Sequence, residues 1–204
     1  MNRKEYKFIM SNEELNEFFK QNYQNLNSIY ASRKISNLYF DTLGFNVYSN
    51  NLFNDSNKFT FRFRKYNTQS IYKEIKINKE KKLKITAETK YNNLNEIQYT
   101  TYENKLLYPT VFTEYYRSYL SLKNTRVTVD KNIKFSSHKF RTKVQKSKVL
   151  NFNILEFKLL DDGESLDIEK NFFKNPQGFS KFRTAVGEIY NIWKQKLFFL
   201  FIYW

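Results

Sequence analysis

The chain has 204 residues, and 35 Lys and Arg residues against 20 Asp and Glu residues give it a formal net charge of +15. This excess predicts an anionic partner such as nucleic acid, an anionic membrane surface or a polyphosphate. With no cysteine, one histidine (His138) and four scattered glycines, the sequence excludes disulfides and thiolate metal sites, disfavours a histidine metal cluster and lacks a glycine-rich phosphate loop.

The chain shows no proline-rich or glycine-rich linker and no internal repeat, so we expect one domain over residues 1–204. No secretion signal is visible at the start, which favours a cytoplasmic protein. The apolar run 197–204 is too short to span a bilayer, which needs roughly 20 residues. It is predicted to be a helix end packed on the domain, or a tail that contacts a membrane surface through its aromatic residues.

Alternation of apolar and polar residues predicts eight strands without regular strand–helix–strand order. The predicted strands cover Arg3–Met10, Ile35–Asp41, Lys58–Lys65, Ile71–Ile77, Lys82–Glu88, Val111–Tyr119, Thr125–Ile133 and Asn151–Leu160.

Helix signals lie between and after these strands. Ser11 followed by Glu14 forms a capping box for a first helix, and Leu94–Leu107 is a weaker helical segment. Ser180 is placed to cap a last helix, whose apolar stripe consists of Ala185, Val186, Ile189 and Trp193. The basic stretch Lys134–Val149 is predicted to be a mobile loop that carries His138 as a surface residue.

Charged residues in the strands recur at positions i and i+2, which share one face of a strand. Arg62 and Arg64 are one such pair, and Glu156 and Lys158 are another, each opposite apolar residues. Such strands can present a solvated charged face, or they can close into a barrel that holds its charges inside and carries helices outside. The pattern alone favours the solvated face.

Local motifs favour the barrel. Residues Asn37–Thr42, followed by Phe45 and Tyr48, resemble an element of the VTC domain, the catalytic domain of polyphosphate polymerases. Seven further motifs resemble those of the family in the same order: Glu5–Phe8, Phe61–Arg64, Lys73–Lys76, Tyr115–Arg117, Arg126–Asp130, Leu155–Lys158 and Phe179–Phe182. This resemblance covers residues 3–190. It implies an α+β fold, an eight-stranded antiparallel β-barrel with helices on the outside, similar to the triphosphate tunnel metalloenzymes.

The resemblance also implies roles for individual residues. It implies that the catalytic basic residues holding the phosphates are Lys7, Arg62, Arg64, Lys76, Arg117, Arg126 and Lys181. It implies further substrate contacts from Tyr115, Lys158 and Ser180, and from Lys82 or, as we expect, Lys84. A divalent metal, Mn²⁺ or Mg²⁺, would be bound by Glu156, with a second contact from Glu5. Glu74 also matches a family position. The motif does not show whether Glu74 has a role of its own or only pairs with a basic residue of the tunnel.

These residue types suit phosphoryl transfer, which needs positioning and neutralisation of charge more than covalent chemistry. The resemblance implies a polyphosphate polymerase that binds ATP and inorganic polyphosphate. A triphosphatase of the same fold and a non-catalytic polyphosphate or nucleotide sensor remain alternatives. Nucleic acid is not the expected partner, because the basic residues concentrate in strand pairs. If the tunnel forms, Arg62, Arg64, Arg126 and Glu156 converge on one lumen, with Phe61, Phe63 and Val127 outside it under helices.

Overall fold

A computed structural model describes residues 5–53, 58–67, 69–78, 82–123, 125–159 and 175–192. The strands in these ranges are β1 (Glu5–Met10), β2 (Leu26–Asp41), β3 (Lys58–Tyr66), β4 (Ile71–Asn78), β5 (Lys82–Glu88), β6 (Thr100–Tyr102), β7 (Lys105–Leu122), β8 (Thr125–Ser137), β9 (Ser147–Val149) and β10 (Asn153–Lys158). The helices are α1 (Asn12–Asn22), α2 (Asn46–Leu52) and α3 (Lys181–Tyr190), with a 3₁₀ turn at Leu94–Glu96. Trp193 and residues 197–204 lie outside the described ranges.

Eight of the strands follow the hydrogen-bonded order β1-β10-β8-β7-β2-β3-β4-β5, while β6 pairs with β7 and β9 pairs with β8. The registers of β1 with β10, β10 with β8, β2 with β3, β3 with β4 and β4 with β5 are all antiparallel. The predicted α+β class, with eight principal antiparallel strands and helices, is therefore confirmed.

The chain forms two compact units. Unit 1 comprises residues 1–34, 115–133 and 149–179, and unit 2 comprises residues 35–114, 134–148 and 180–204. Strands β2, β7 and β8 contribute residues to both units.

The core of unit 1 lies between helix α1 and one face of strands β1, β8 and β10. The Ser11–Glu14 capping box is present as predicted and begins α1. Phe157 makes edge-to-face contacts with Phe8 and Phe18, at centroid distances of 5.8 Å and 6.0 Å. The fully buried Val127 belongs to the same cluster, so its predicted place under a helix is confirmed.

In unit 2, Phe61 and Phe63 pack on the apolar face of β3. Their rings contact Phe40, at centroid distances of 5.8 Å and 5.3 Å, and neighbouring rings of Tyr91 and Tyr102. These tyrosines come from the segment between β5 and β7, which was not predicted to cover the rings, and helix α2 also contacts β3.

The prediction of a helix over Leu94–Leu107, in the segment between β5 and β7, is wrong. Only Leu94–Glu96 is helical, as a single 3₁₀ turn, and Thr100–Tyr102 forms β6. Glu103 and Asn104 both have positive φ, at 47° and 58°, which suits the tight turn of a hairpin. Threonine and tyrosine also favour strands over helices. The segment therefore pairs as a hairpin with β7.

The predicted loop over Lys134–Val149 is shorter in the structure. Strand β8 continues to Ser137 and β9 pairs with it, so only residues 138–146 lie outside helices and strands. His138 is 3% exposed rather than a surface residue. Its Nδ1 accepts a hydrogen bond from the backbone of Phe140, and its ring lies 5.5 Å from that of Phe112. Burial, together with nearby Lys139, lowers the pKa of His138 to about 4.

Among the described residues, no helix has the length and apolar character needed to cross a bilayer.

Candidate functional site

Strand β3 places Arg62 and Arg64 on the face opposite Phe61 and Phe63. In the strand register, Arg62 lies between Tyr39 of β2 and Glu74 of β4. Arg62 and Arg64 are only 7% and 6% exposed. These arginines therefore do not lie on a solvated face, which removes the arrangement favoured by the alternation pattern alone.

Glu74 joins the basic side chains of unit 2. Its Oε2 accepts from Nε of Arg62 at 2.8 Å and lies 2.6 Å from Nη2 of the same group. Its Oε1 lies 2.7 Å from Nζ of Lys84, and Nη1 of Arg64 lies 3.6 Å from Oε2. We call Arg62, Arg64, Lys84 and Glu74 the Glu74 cluster. Because three basic side chains share one carboxylate, the cluster retains an excess of positive charge.

Polar side chains of β2 and β3 fix the directions of the two guanidinium groups. Arg62 donates from Nη1 to the hydroxyl of Tyr39 at 3.0 Å. Arg64 donates from Nε to Oδ1 of Asn37 at 2.7 Å, and from Nη1 to the hydroxyl of Tyr66 at 3.2 Å. Arg forks held in this way keep a defined orientation, which is the condition for recognising a planar or tetrahedral oxyanion.

Burial alone raises the pKa of Glu74, but the charges of Arg62, Arg64 and Lys84 outweigh it and lower this pKa from 4.5 to about 2. Since the folded pKa lies below the unfolded one, the resulting stability is fully present above pH 4.5 and is lost as the pH falls towards 2. We expect Glu74→Gln to reduce the free energy of unfolding by about 3 kcal/mol at pH 7 and by about 1 kcal/mol at pH 3.

Urea denaturation at both pH values measures this difference. Glu96→Gln is the matched control, because Glu96 is an exposed carboxylate of the same unit and should change stability little at either pH. An equal loss of stability for Glu74→Gln at both pH values would contradict the charge-based account of the cluster.

The Asn37–Thr42 motif has a structural explanation in unit 2. Asn37 and Tyr39 orient the arginines, whereas Asp41 accepts hydrogen bonds from the backbone N–H groups of Val47 and Tyr48 at 2.8 Å and 2.9 Å. These are N–H groups of the first turn of α2, so Asp41 caps that helix.

Helix α3 packs beside Tyr39, the tyrosine that accepts a hydrogen bond from Arg62. Phe182 stacks on the ring of Tyr39 with centroids 5.3 Å apart and an interplanar angle of 27°. The Ser180 hydroxyl accepts from the backbone N–H of Arg183 and caps α3, as predicted, and Lys181 is the first helical residue. Lys76 is exposed on β4, directly opposite Lys84 of β5 in the strand register.

Unit 1 carries a second set of predicted site residues on β1, β8 and β10. One row of the register consists of Lys7, Glu156 and Thr128, and the adjacent row consists of Glu5, Lys158 and Arg126. Positions on antiparallel strands in one row share a face, so the six side chains lie opposite the core of α1.

Lys158 connects the two carboxylates that were predicted to bind metal. Its Nζ lies 3.0 Å from Oε1 of Glu156 and 3.3 Å from Oε1 of Glu5. Glu156 is 6% exposed. Lys7 donates from Nζ to the carbonyl oxygen of Phe179 at 3.4 Å. One ammonium group therefore already lies where two carboxylates attract a cation.

Arg117 forms a two-pronged ion pair that sequence reasoning did not anticipate. Its Nε and Nη2 donate to the two carboxylate oxygens of Asp130 at 2.6 Å and 2.7 Å, and its guanidinium lies 5.4 Å from the ring centre of Tyr115. Burial alone lowers the pKa of Arg117, but Asp130, Tyr115 and Glu156 outweigh it and raise this pKa. The ion pair with Asp130 therefore keeps Arg117 positively charged, on the same face of β7 as Tyr115.

The oxygen donors beside Glu156 fit a divalent metal ion. Thr128, directly opposite Glu156 in the register, is fully buried, and its hydroxyl has no hydrogen-bond partner among the residues that the structure describes. A hard cation such as Mg²⁺ or Mn²⁺ prefers carboxylate and hydroxyl oxygens. Within the described ranges no three Asp, Glu, His or Cys side chains cluster as a metal site, so a metal here needs oxygens from Thr128 or the substrate as well.

The structure thus brings Arg62, Arg64 and Lys84 together in unit 2, and Glu5, Lys7, Glu156 and Lys158 in adjacent rows of unit 1. Arg126 lies on the predicted face of β8 and is exposed. The convergence of the two sets on one lumen stays a prediction. The residues that sequence reasoning missed are Asn37, Tyr39 and Tyr66 as partners of the arginines, Asp130 as the partner of Arg117, and Thr128.

The VTC domain family matches this chain over residues 2–92 and 77–190. No curated protein matches the chain. Among solved structures, a candidate adenylate cyclase from Bacillus halodurans is similar at 13% identity with a TM-score of 0.56, covering 90% of this chain and 98% of the other.

A candidate adenylyl cyclase from Hippeastrum with a dominant triphosphatase activity has 12% identity and a TM-score of 0.55, covering 91% of this chain and 95% of its own. A candidate adenylate cyclase from Vibrio parahaemolyticus has 12% identity and a TM-score of 0.52, covering 88% of this chain and 94% of the other. At such identities the three structures show a shared fold. The family match over most of the chain's length shows that this chain belongs to the VTC domain family.

Proposed function

We propose that this VTC domain is a polyphosphate polymerase that transfers the γ-phosphate of ATP onto a growing inorganic polyphosphate chain. The observation that carries the proposal is the Glu74 cluster, in which two buried and oriented arginines and a lysine share a single carboxylate. Basic residues held in this way offer a fixed field of positive charge to phosphate oxygens without reorganising during the reaction.

In the proposed reaction, a terminal phosphate oxygen of the polyphosphate chain attacks the γ-phosphorus of ATP. The new P–O bond lengthens the chain by one unit, while the bond from the γ-phosphorus to the β,γ-bridging oxygen breaks. Its electron pair stays on the β-phosphate of the departing ADP. Arg62 and Arg64 of unit 2 would bind phosphate oxygens, as would the basic residues of unit 1, led by Lys7 and Arg126.

A divalent metal would be held by Glu156, with Glu5 and the buried hydroxyl of Thr128 as further oxygen donors. When bound, it supplies positive charge that offsets the negative charge developing on phosphate oxygens. Lys158 lies against both carboxylates, and its positive charge offsets part of their mutual repulsion. Whether Mn²⁺ or Mg²⁺ is preferred is decided by comparing the two metals in the assay below.

Hydrolysis of triphosphates is the second candidate. It is favoured by the Hippeastrum protein, which has this fold and a dominant triphosphatase activity. The same basic residues would then hold the triphosphate, and water would replace the polyphosphate chain as the nucleophile.

Incubation of the purified protein with ATP and Mn²⁺ or Mg²⁺, with and without a short polyphosphate primer, tests the proposal. We expect ADP release that rises with primer concentration, together with longer chains on a gel. ADP with only orthophosphate would indicate the hydrolase. Tight polyphosphate binding without ADP release under either metal would indicate a sensor and contradict both enzymatic activities.

A further inference from the structure

Two arginines of unit 1 flank one buried tyrosine ring. The guanidinium carbon of Arg33, on β2, lies 5.7 Å from the ring centre of Tyr119, and that of Arg126, on β8, lies 5.6 Å from the same centre. Arg33 also lies 5.6 Å from the ring of Tyr30, which meets Tyr119 edge to face at 5.9 Å. Of these four residues, only Arg126 carries a predicted role.

Neither arginine has a carboxylate partner within the described part of the chain, in contrast to Arg62 and Arg117, which are both paired. Contacts with aromatic faces offset only part of the repulsion between two guanidinium groups that share one ring. Lys158, directly opposite Arg126 in the register, adds a third positive charge, although Glu5 and Glu156 balance that one. An anion that contacts Arg33 and Arg126 would relieve the repulsion.

The position of this group relative to Glu156 indicates what kind of anion it would bind. Arg126 and Thr128 are two residues apart on one face of β8, about 7 Å along the strand. Thr128 lies opposite Glu156. Arg126 therefore lies further along this face from Glu156 than Thr128 does, and the contacts with the Tyr119 ring bring Arg33 to the Arg126 end.

We propose that Arg33, Arg126 and Tyr119 form a subsite for the remote phosphates of a polyphosphate chain, so that Arg33 helps the protein to distinguish long chains from tripolyphosphate. This deepens the proposed function and rests on the predicted phosphate-binding face of unit 1. A phosphate chain fits better than a nucleobase, because Tyr119 is 7% exposed and its ring already contacts Tyr30 and both guanidinium groups. A nucleobase needs an open aromatic face on which to stack.

Binding of tripolyphosphate, ATP and a long inorganic polyphosphate is measured by titration calorimetry at 0.15 M salt, where distant surface charges are largely screened. We expect Arg33→Ala to weaken binding of the long polyphosphate about tenfold, the effect of one lost charge-assisted contact. Binding of tripolyphosphate should stay within about twofold of wild type. Arg33→Lys keeps the charge and should recover part of the affinity.

Lys34→Ala is the matched control, because it removes one positive charge from the adjacent position on the opposite face of β2 and should leave long-chain binding nearly unchanged. Unchanged long-chain affinity in Arg33→Ala, or an equal loss for tripolyphosphate, would overturn the subsite. Loss of ATP affinity alone would indicate base stacking and also overturn it. If Arg33→Ala weakens long-chain binding as expected but the wild-type protein makes no polyphosphate from ATP, the subsite stands and the polymerase proposal fails.

Discussion

Replacement of Arg64 by alanine is expected to weaken tripolyphosphate binding by about 1.5–3 kcal/mol, roughly 10- to 100-fold, because a buried and oriented charge-assisted donor is lost. Arg64 gives a cleaner test than Arg62. Glu74 lies 2.6 Å from Arg62 but 3.6 Å from Arg64, so removal of Arg64 leaves the buried carboxylate paired with Arg62 and Lys84. Calorimetric titration at neutral pH, with circular dichroism as the check on folding, measures the effect.

Lys65→Ala is the control for this experiment. Lys65 is the next residue on β3, its side chain lies on the opposite face, and its Nζ donates to the carbonyl oxygen of Asn92. It removes the same charge and should change tripolyphosphate affinity by no more than about 0.5 kcal/mol. If the folded double variant Arg62→Ala/Arg64→Ala binds tripolyphosphate as tightly as wild type, the Glu74 cluster does not hold phosphate.

The second large effect is expected for Glu156→Gln. This change keeps the size of the side chain but removes the anion that would bind a divalent metal, so turnover of ATP should fall about 100-fold or more. Triphosphate binding should fall far less, since the basic residues remain. Steady-state rates of ADP release and calorimetric affinities, both measured with Mn²⁺, separate the two quantities.

Glu17→Gln provides the comparison, because Glu17 is an exposed carboxylate on α1 that accepts a hydrogen bond from the side chain of Gln21. Its turnover should equal that of wild type. A metal titration of ADP release in Glu156→Gln adds a second readout, since a lost ligand should raise the metal concentration needed for half-maximal rate. Wild-type turnover in Glu156→Gln would exclude Glu156 as the metal ligand.

The strands that could be predicted well are those with strict alternation. In β3, three phenylalanines alternate with Thr60, Arg62 and Arg64, and the predicted and observed strands differ by one residue. Strand β2 begins at Leu26, nine residues before its predicted start at Ile35. The segment between these residues is largely exposed, so no apolar face marks it as a strand.

Helix α2 could not be predicted from the residue at its start, because its capping carboxylate belongs to Asp41, four residues before Phe45. Position Phe45, where the helix starts, has φ of 58° and provides no side-chain cap, and the carboxylate of Asp41 takes that role instead. His138 was misplaced because β8 continues past Ile133 and carries it into the interior. Both errors arise from contacts that exist only after the chain has folded.

For the candidate site, alternation predicted which strand residues share a face, but the pairing of charges depends on strand register. Glu74 meets Arg62 because β3 and β4 place them opposite each other. The Glu156–Lys158 pair, by contrast, lies two residues apart on one strand and shares the face that alternation predicted. Register is fixed by the turns and by the whole set of apolar contacts, which a single sequence does not display. The central place of Glu74 and the Arg117–Asp130 pair therefore emerged only from the structure.

The fate of the γ-phosphorus of ATP tests the central claim most directly. With γ-labelled ATP, Mn²⁺ and an excess of short polyphosphate primer, we expect the label to enter longer chains, one labelled phosphate for each ADP released. The label should remain in ATP when Glu156→Gln is assayed for the same time. If wild-type protein releases the label only as orthophosphate, or releases none, this VTC domain does not build polyphosphate and the account is contradicted.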